Sequence, residues 1–219
     1  MPLQNRVTPD GSIVADAARG LLMGNRGGQM HVGAQRLTAR RWVSKAWIAC
    51  VLQYKDRHEV IMAPGHYTQL FFLDEATALA AGHRPCALCR RADWLRFMDG
   101  WQEVRGLLAR PKVADVDAVL QAERVGAERG KVTYTARLAD LPEGVMVYLA
   151  DSSLPSHSNA ALYFNRTLYP WTPSGYVPPV EAPTTAHVLT PLSIVAVIAA
   201  GYAPMLHPTA RSMSVAKSV

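Results

Sequence analysis

Cysteine is scarce in this sequence, three in 219 residues. An odd and sparse set of this kind excludes a secreted disulfide framework and points to a reducing compartment. Long apolar runs are also missing. The longest, Leu192 to Ala200, falls short of the ~20 residues that cross a bilayer, so no membrane partner is expected. The opening MPLQNRVTPDG lacks the apolar run of a secretory leader, and the expected localisation is cytoplasmic. No Gly-x-Ser-x-Gly elbow occurs, and no Gly-Lys-Ser/Thr ending of a phosphate loop. Ser152, Ser153, Ser156 and His157 gather beside Asp151, but adjacency along the chain is not the geometry of a triad.

Acidic side chains are outnumbered by basic ones, 17 against 23, and the imbalance is local. Residues 1 to 46 carry Arg6, Arg19, Arg26, Arg36, Arg40, Arg41 and Lys45 against Asp10 and Asp16. A second concentration holds Arg84, Arg90, Arg91 and Arg96. Clustered arginines pair phosphates bidentately, so Arg26, Arg84, Arg90, Arg91 and Arg96 form a possible nucleic-acid surface, with DNA placed before RNA. A solvated basic face without a partner is the alternative.

The best-marked stretch is LFFLDEATALAAGHRPCALCRRADWLRFMDGW, residues 70 to 101. It reads as a short apolar strand, a helix capped by Asp74 and stopped at Gly82, a Cys-x-x-Cys turn, and a second amphipathic helix. Two thiols at that spacing direct both sulfurs toward one tetrahedral ion. Residues 71 to 89 resemble part of the metal-binding domain of the Ada DNA-repair protein, where a helix ending in Ala-Gly precedes an aromatic residue, Arg-Pro and a Cys pair. The resemblance implies zinc held by Cys86 and Cys89 in a ribbon-like unit that touches DNA. It does not extend to the first Cys pair of that family, so alkyl transfer is not implied.

Two further ligands are needed. Cys50, the remaining thiol, is the first choice for the third, with a buried core thiol as the alternative. His83, His66 and His58 compete for the fourth. His83 stands at His-x-x-Cys-x-x-Cys spacing; His66 follows a Pro-Gly turn; His58 lies nearest to where the missing pair would be. His207 enters through a short parallel between residues 199 to 207 and 80 to 88, which a shared helix-stop also explains.

Around this core the chain reads as short strands or a basic irregular arm packed on the body (1 to 46), a zinc-binding βββα unit with helices (47 to 130), and a β-rich part with a terminal helix (131 to 219), either as separate parts or as one continuous domain. Residues 47 to 54 and 58 to 63 read as a hairpin. Helices are expected from about Arg90 to Arg110, with Trp94, Leu95, Met98, Trp101, Val104 and Leu108 inward, and from Asp115 to Arg129 on the surface. Met23 to His31 reads as a structural turn before a phosphate cradle, and Trp171 and Tyr176 as exposed-looking aromatics of a Pro-rich loop, able to stack on bases or sugars but more often found capping a sheet. The fold class expected is α+β, a zinc-ribbon-like βββα unit followed by helices and a small antiparallel sheet. The function expected is zinc-containing nucleic-acid binding, in DNA repair or processing. The alternatives are a zinc-dependent enzyme of hydrolase type acting on a nucleotide or small substrate, and a metal-free structural module.

Overall fold

The computed structural model describes residues 1–33, 35–55, 59–149 and 159–215. In chain order the strands of the first half are β1 (Gln4–Val7), β2 (Ile13–Ala15), β3 (Leu22–Asn25), β4 (His31–Val32), β5 (Arg36–Leu37), β6 (Ile48–Val51), β7 (Leu70–Phe72) and β8 (Arg84–Pro85). Helix α1 (Glu75–Ala80) lies between β7 and β8, and α2 (Arg91–Val104) and α3 (Val113–Arg124) follow. The second half holds β9 (Tyr134–Arg137), β10 (Met146–Tyr148), β11 (Ala160–Phe164), β12 (Thr167–Thr172), β13 (Gly175–Tyr176), β14 (Thr185–Val188), α4 (Leu192–Ala199) and α5 (Pro208–Val215). The class is mixed α and β, as the composition of elements predicts.

One six-stranded sheet runs β2-β1-β7-β3-β6-β8 and a second runs β13-β12-β11-β10-β14-β9. Strands β1, β2 and β3 from the basic N-terminal stretch thus share a sheet with the Cys-bearing strand. The hairpin expected after residue 47 does not form: β6 pairs with β3 and β8, not with the segment before Pro64. The C-terminal antiparallel sheet does form, and Asn165 and Arg166, both at positive φ, make its tight turn.

Helix α1 shows how local signals become structure. The Asp74 carboxylate accepts from the Thr77 N–H at 2.9 Å, capping the first turn. At the other end Gly82 sits at φ 85°, the Gly82 N–H reaches Leu79 O, and the His83 N–H reaches Ala78 O. This paired closure needs a left-handed residue, and a Cβ at Gly82 would also lie 2.5 Å from Arg124 Cδ. The same pairing recurs after α4, from Gly201 and Tyr202, so the parallel between the two segments is a repeated helix stop.

The boundaries of α2 and α3 differ from expectation. Helix α2 ends at Val104, leaving Leu108 fully exposed. Helix α3 is no surface helix, since Val116 and Leu120 enter the main core beside Trp94, Phe97 and Trp101. Its thin stripe sufficed because α2 and α4 cover it from one side. Trp171 and Tyr176 are buried rather than exposed, donating to Thr77 Oγ1 and Asp74 Oδ2.

A cationic interior lies on the α1 side of the first sheet. Trp47 is sandwiched between the guanidinium groups of Arg26 and Arg124, at 3.9 and 4.1 Å from the ring centre. The Lys131 ammonium, enclosed although its residue is only half-buried, donates to Ala80 O. Burial holds the Lys131 pKa down to about 7, with Arg26 and Arg124 adding repulsion. A base whose pKa is lower folded than unfolded expels its proton on folding. The cost is fully present below pH 7 and fades as pH rises toward 10.5. Unfolding of Lys131→Met followed by denaturant should therefore show a gain over wild type near pH 6 that shrinks by pH 10; a pH-independent difference would contradict the assignment.

Candidate metal centre

The site is built from two segments far apart in sequence. Strand β8 runs parallel to β6, with Ile48 opposite Arg84 and Ala49 opposite Pro85, and the Cys86 N–H continues the ladder to Ala49 O at 2.9 Å. Cys50 is thereby carried beside the Cys86-Ala87-Leu88-Cys89 turn. The sulfurs of Cys50, Cys86 and Cys89 all lie within 4.8 Å of one another. Tetrahedral zinc–thiolate bonds of ≈2.3 Å require sulfurs about 3.8 Å apart, a spacing inside that limit. These three cysteines could hold a metal.

The electrostatics support that chemistry. Cys86 is held well below the ordinary thiol range by the thiols of Cys50 and Cys89 and by the N–H groups of Cys89 and Leu88. The Leu88 N–H lies 3.4 Å from the Cys86 sulfur. Cys50 is pushed far up, first by sharing hydrogen bonds with Cys86 and Cys89 and then by burial. Cys89 is also raised: the bond with Cys50 lowers it, but Cys86 and burial outweigh that. One negative charge is therefore tolerated among three sulfurs. A divalent cation would allow all three to ionise, releasing protons as it binds.

A cavity of about 620 Å³ opens directly on the three sulfurs. Its floor is one face of the first sheet. Phe71 of β7 pairs with Met23 of β3, and Met23 pairs with Cys50 of β6, so the three side chains form a row on one side. Leu22, Ala49, Leu70 and Phe72 point the other way into the core with α1. Glu59 and Gln69 line the cavity beyond Phe71, and Arg19 its rim. Arg19 and Met23 stood out in the sequence only as part of a basic cluster and of a turn, and Phe71 not at all, because the apolar run Leu70–Phe72 hides which of its residues faces a cavity.

The histidine expectations fare differently. His83 is fully buried on the core side, where Nε2 accepts from Arg26 Nε at 3.3 Å and the ring packs on Trp47 and Phe72. Its backbone belongs to the helix stop, which turns the side chain away from the thiols. His66 is exposed against its own Pro64 carbonyl. The His207 N–H donates to Asp74 and its ring meets Thr209. None of the three joins the cysteines. His58 lies outside the described residues, as do Ser152, Ser153, Ser156, His157 and Asp151. Among the described residues no fourth Cys, His, Asp or Glu completes the group.

Three of the five arginines expected on a nucleic-acid surface are structural. Arg26 is buried and donates to the Gly11 and Arg41 carbonyls. Arg84 forms a two-pronged pair with Asp117, both bonds 2.8 Å. Arg90 bridges Glu75 at 2.7 Å and Asp93 at 2.8 Å. Arg91 and Arg96 remain outside, the first stacked on Trp94 and the second paired with Asp93. Among the described residues no helix is long and apolar enough to cross a membrane.

Comparison with protein-family models, with curated proteins and with solved structures gives no significant match.

Proposed function

We propose that this protein is a zinc-dependent enzyme whose ion is held by Cys50, Cys86 and Cys89 and keeps one coordination position open to a small molecule in the adjoining cavity. The observation that carries this reading is the conjunction of three convergent thiols with a cavity of about 620 Å³ on their open side. Three protein ligands and a free fourth position mark catalytic zinc, whereas structural zinc is closed by four. Zinc is preferred because sulfur-rich tetrahedral sites suit it, and the local resemblance around Cys86 and Cys89 points the same way. When bound, the ion supplies a Lewis-acidic position. The chain supplies the sulfur set, an apolar floor of Met23 and Phe71, and polar groups at the far end.

A hydrolase role would use the same open position but draws less support. Three thiolates place a net negative charge on the centre and make it a weak activator of water.

X-ray absorption at the zinc edge should find three sulfurs near 2.3 Å and one oxygen near 2.0 Å. Added azide should shift the visible bands of the cobalt-substituted protein. In protein freed of added thiols, four sulfurs, or a spectrum blind to azide, would refute the open site.

Nucleic-acid binding is the second reading, favoured by the exposed run Arg36, Arg40, Arg41 and Lys45, and a role in DNA repair or processing belongs to it. Affinity for a duplex DNA oligonucleotide would then fall steeply with salt and weaken in Arg40→Ala/Arg41→Ala. Binding that ignores salt would remove it.

A further inference from the structure

The cavity is polarised, and its two ends ask for different chemistry. At one end stand the three sulfurs. About 10 Å away, two strand spacings across the sheet, lies Phe71. Two guanidinium groups sit on its ring, Arg6 at 5.0 Å and Arg19 at 5.2 Å. Arg6 donates from Nε to the Ala18 carbonyl and from Nη1 to Asn5 Oδ1. Arg19, exposed at the rim, makes no ion pair among the described residues. Beside the segment that leads into β7 the Glu59 carboxylate accepts from Tyr67 Oη at 3.1 Å and Gln69 Nε2 at 3.4 Å. Between the ends the floor is the Met23 thioether and the Phe71 ring.

A ligand matching this layout has a soft donor for the ion, an apolar or amide body, and a charged tail. The ion already carries three thiolates, so hydroxide is a poor fourth partner, while a further sulfur suits it. We propose that the cavity binds a low-molecular-weight thiol with a charged tail, its sulfur taking the open coordination position, a carboxylate reaching Arg19 and an ammonium facing Glu59. This rests on the metal reading above. In the binding step the metal-bound water leaves, the thiol S–H bond breaks, the metal–sulfur bond forms, and the proton departs to solvent. A volume of about 620 Å³ lies within the ~300–1,000 Å³ range of small-molecule sites, enough for a tripeptide-sized molecule.

The test uses the full chain loaded with cobalt(II) and titrated with three probes: glutathione, S-methylglutathione and 2-mercaptoethanol. Glutathione should intensify the sulfur-to-cobalt charge-transfer band saturably, and S-methylglutathione, which has no thiol to ionise, should not. Arg19→Met should weaken glutathione roughly fivefold, the scale of an exposed ion pair, while leaving 2-mercaptoethanol unchanged. Arg19 is exposed, so circular dichroism should show an intact fold in this variant. A cobalt-loaded protein whose spectrum ignores glutathione would overturn the thiol site alone. So would an Arg19→Met variant that loses nothing, or that loses both thiols equally. A protein that binds no cobalt would overturn this inference together with the metal reading.

Discussion

Cys50→Ser is expected to abolish stoichiometric zinc binding while leaving the fold standing. Wild-type protein purified without chelators should hold about one equivalent of zinc. Loss of a direct ligand should weaken the ion by more than the ~100-fold that loss of a supporting contact costs. The fold should survive because none of the three apolar clusters contains Cys50, Cys86 or Cys89. The site hangs on the β6–β8 edge of one sheet, with the largest cluster built elsewhere from α2, α3, α4 and the second sheet. Metal binding would still add stability by mass action, about 4 kcal/mol at a thousandfold excess over Kd. Chelated wild type and Cys50→Ser should therefore melt together, several degrees below the zinc-loaded protein, and only wild type should recover on adding zinc. Cooperative unfolding lost in the variant, or zinc retained by it, would sink the assignment.

The largest stability effect is expected from Glu75→Ala, on the α1 network rather than on the thiols. Glu75 is 2% exposed. Its carboxylate accepts from Arg90 at 2.7 Å, from Tyr202 Oη at 2.5 Å and from the Met205 N–H at 2.9 Å. Its neighbour Asp74 accepts from Thr77, Tyr176 and the His207 N–H. The start of α1 is thus the knot that ties residues 202 to 207 to the α1–Cys-turn unit. Truncation leaves the buried Arg90 with Asp93 as its remaining carboxylate and takes the acceptor from Tyr202 Oη and the Met205 N–H; breaking a buried ion pair by removing one partner costs ~3–5 kcal/mol. For a chain of this size each kcal/mol lowers Tm by roughly 2–4 °C, so calorimetry should record a drop of at least about 6 °C. Glu75→Leu combined with Arg90→Met removes both charges and should recover most of it. A single-variant loss under 1 kcal/mol would show that the network bears little of the fold's stability.

The knot also explains why the arginine reading went astray. In sequence, Arg84 and Arg90 look like a basic cluster around a metal turn. Their carboxylate partners Asp117 and Glu75 lie 33 and 15 positions away, and nothing in local spacing reveals such pairings. Arg26 is a harder case still, since its partners are mostly backbone carbonyls and an aromatic face. His83 was drawn toward the cysteines by spacing alone, but the Gly82 stop fixes its backbone in the opposite sense.

What the amino-acid sequence determined by itself was the unit from Leu70 through α2. Its cap at Asp74, its stop at Gly82 and its Cys-x-x-Cys turn are each specified by residues within a few positions, through hydrogen bonds that close inside one or two turns. Tertiary structure decided between the two readings of Cys50, metal ligand or buried core thiol, bringing it to Cys86 and Cys89 through the parallel register of β6 with β8. It also decided that Phe71, Met23 and Cys50 share an open face, and that most of the suspected surface arginines lie inside. Strand pairing and burial are set by which distant segments meet, and that choice is made by the whole core.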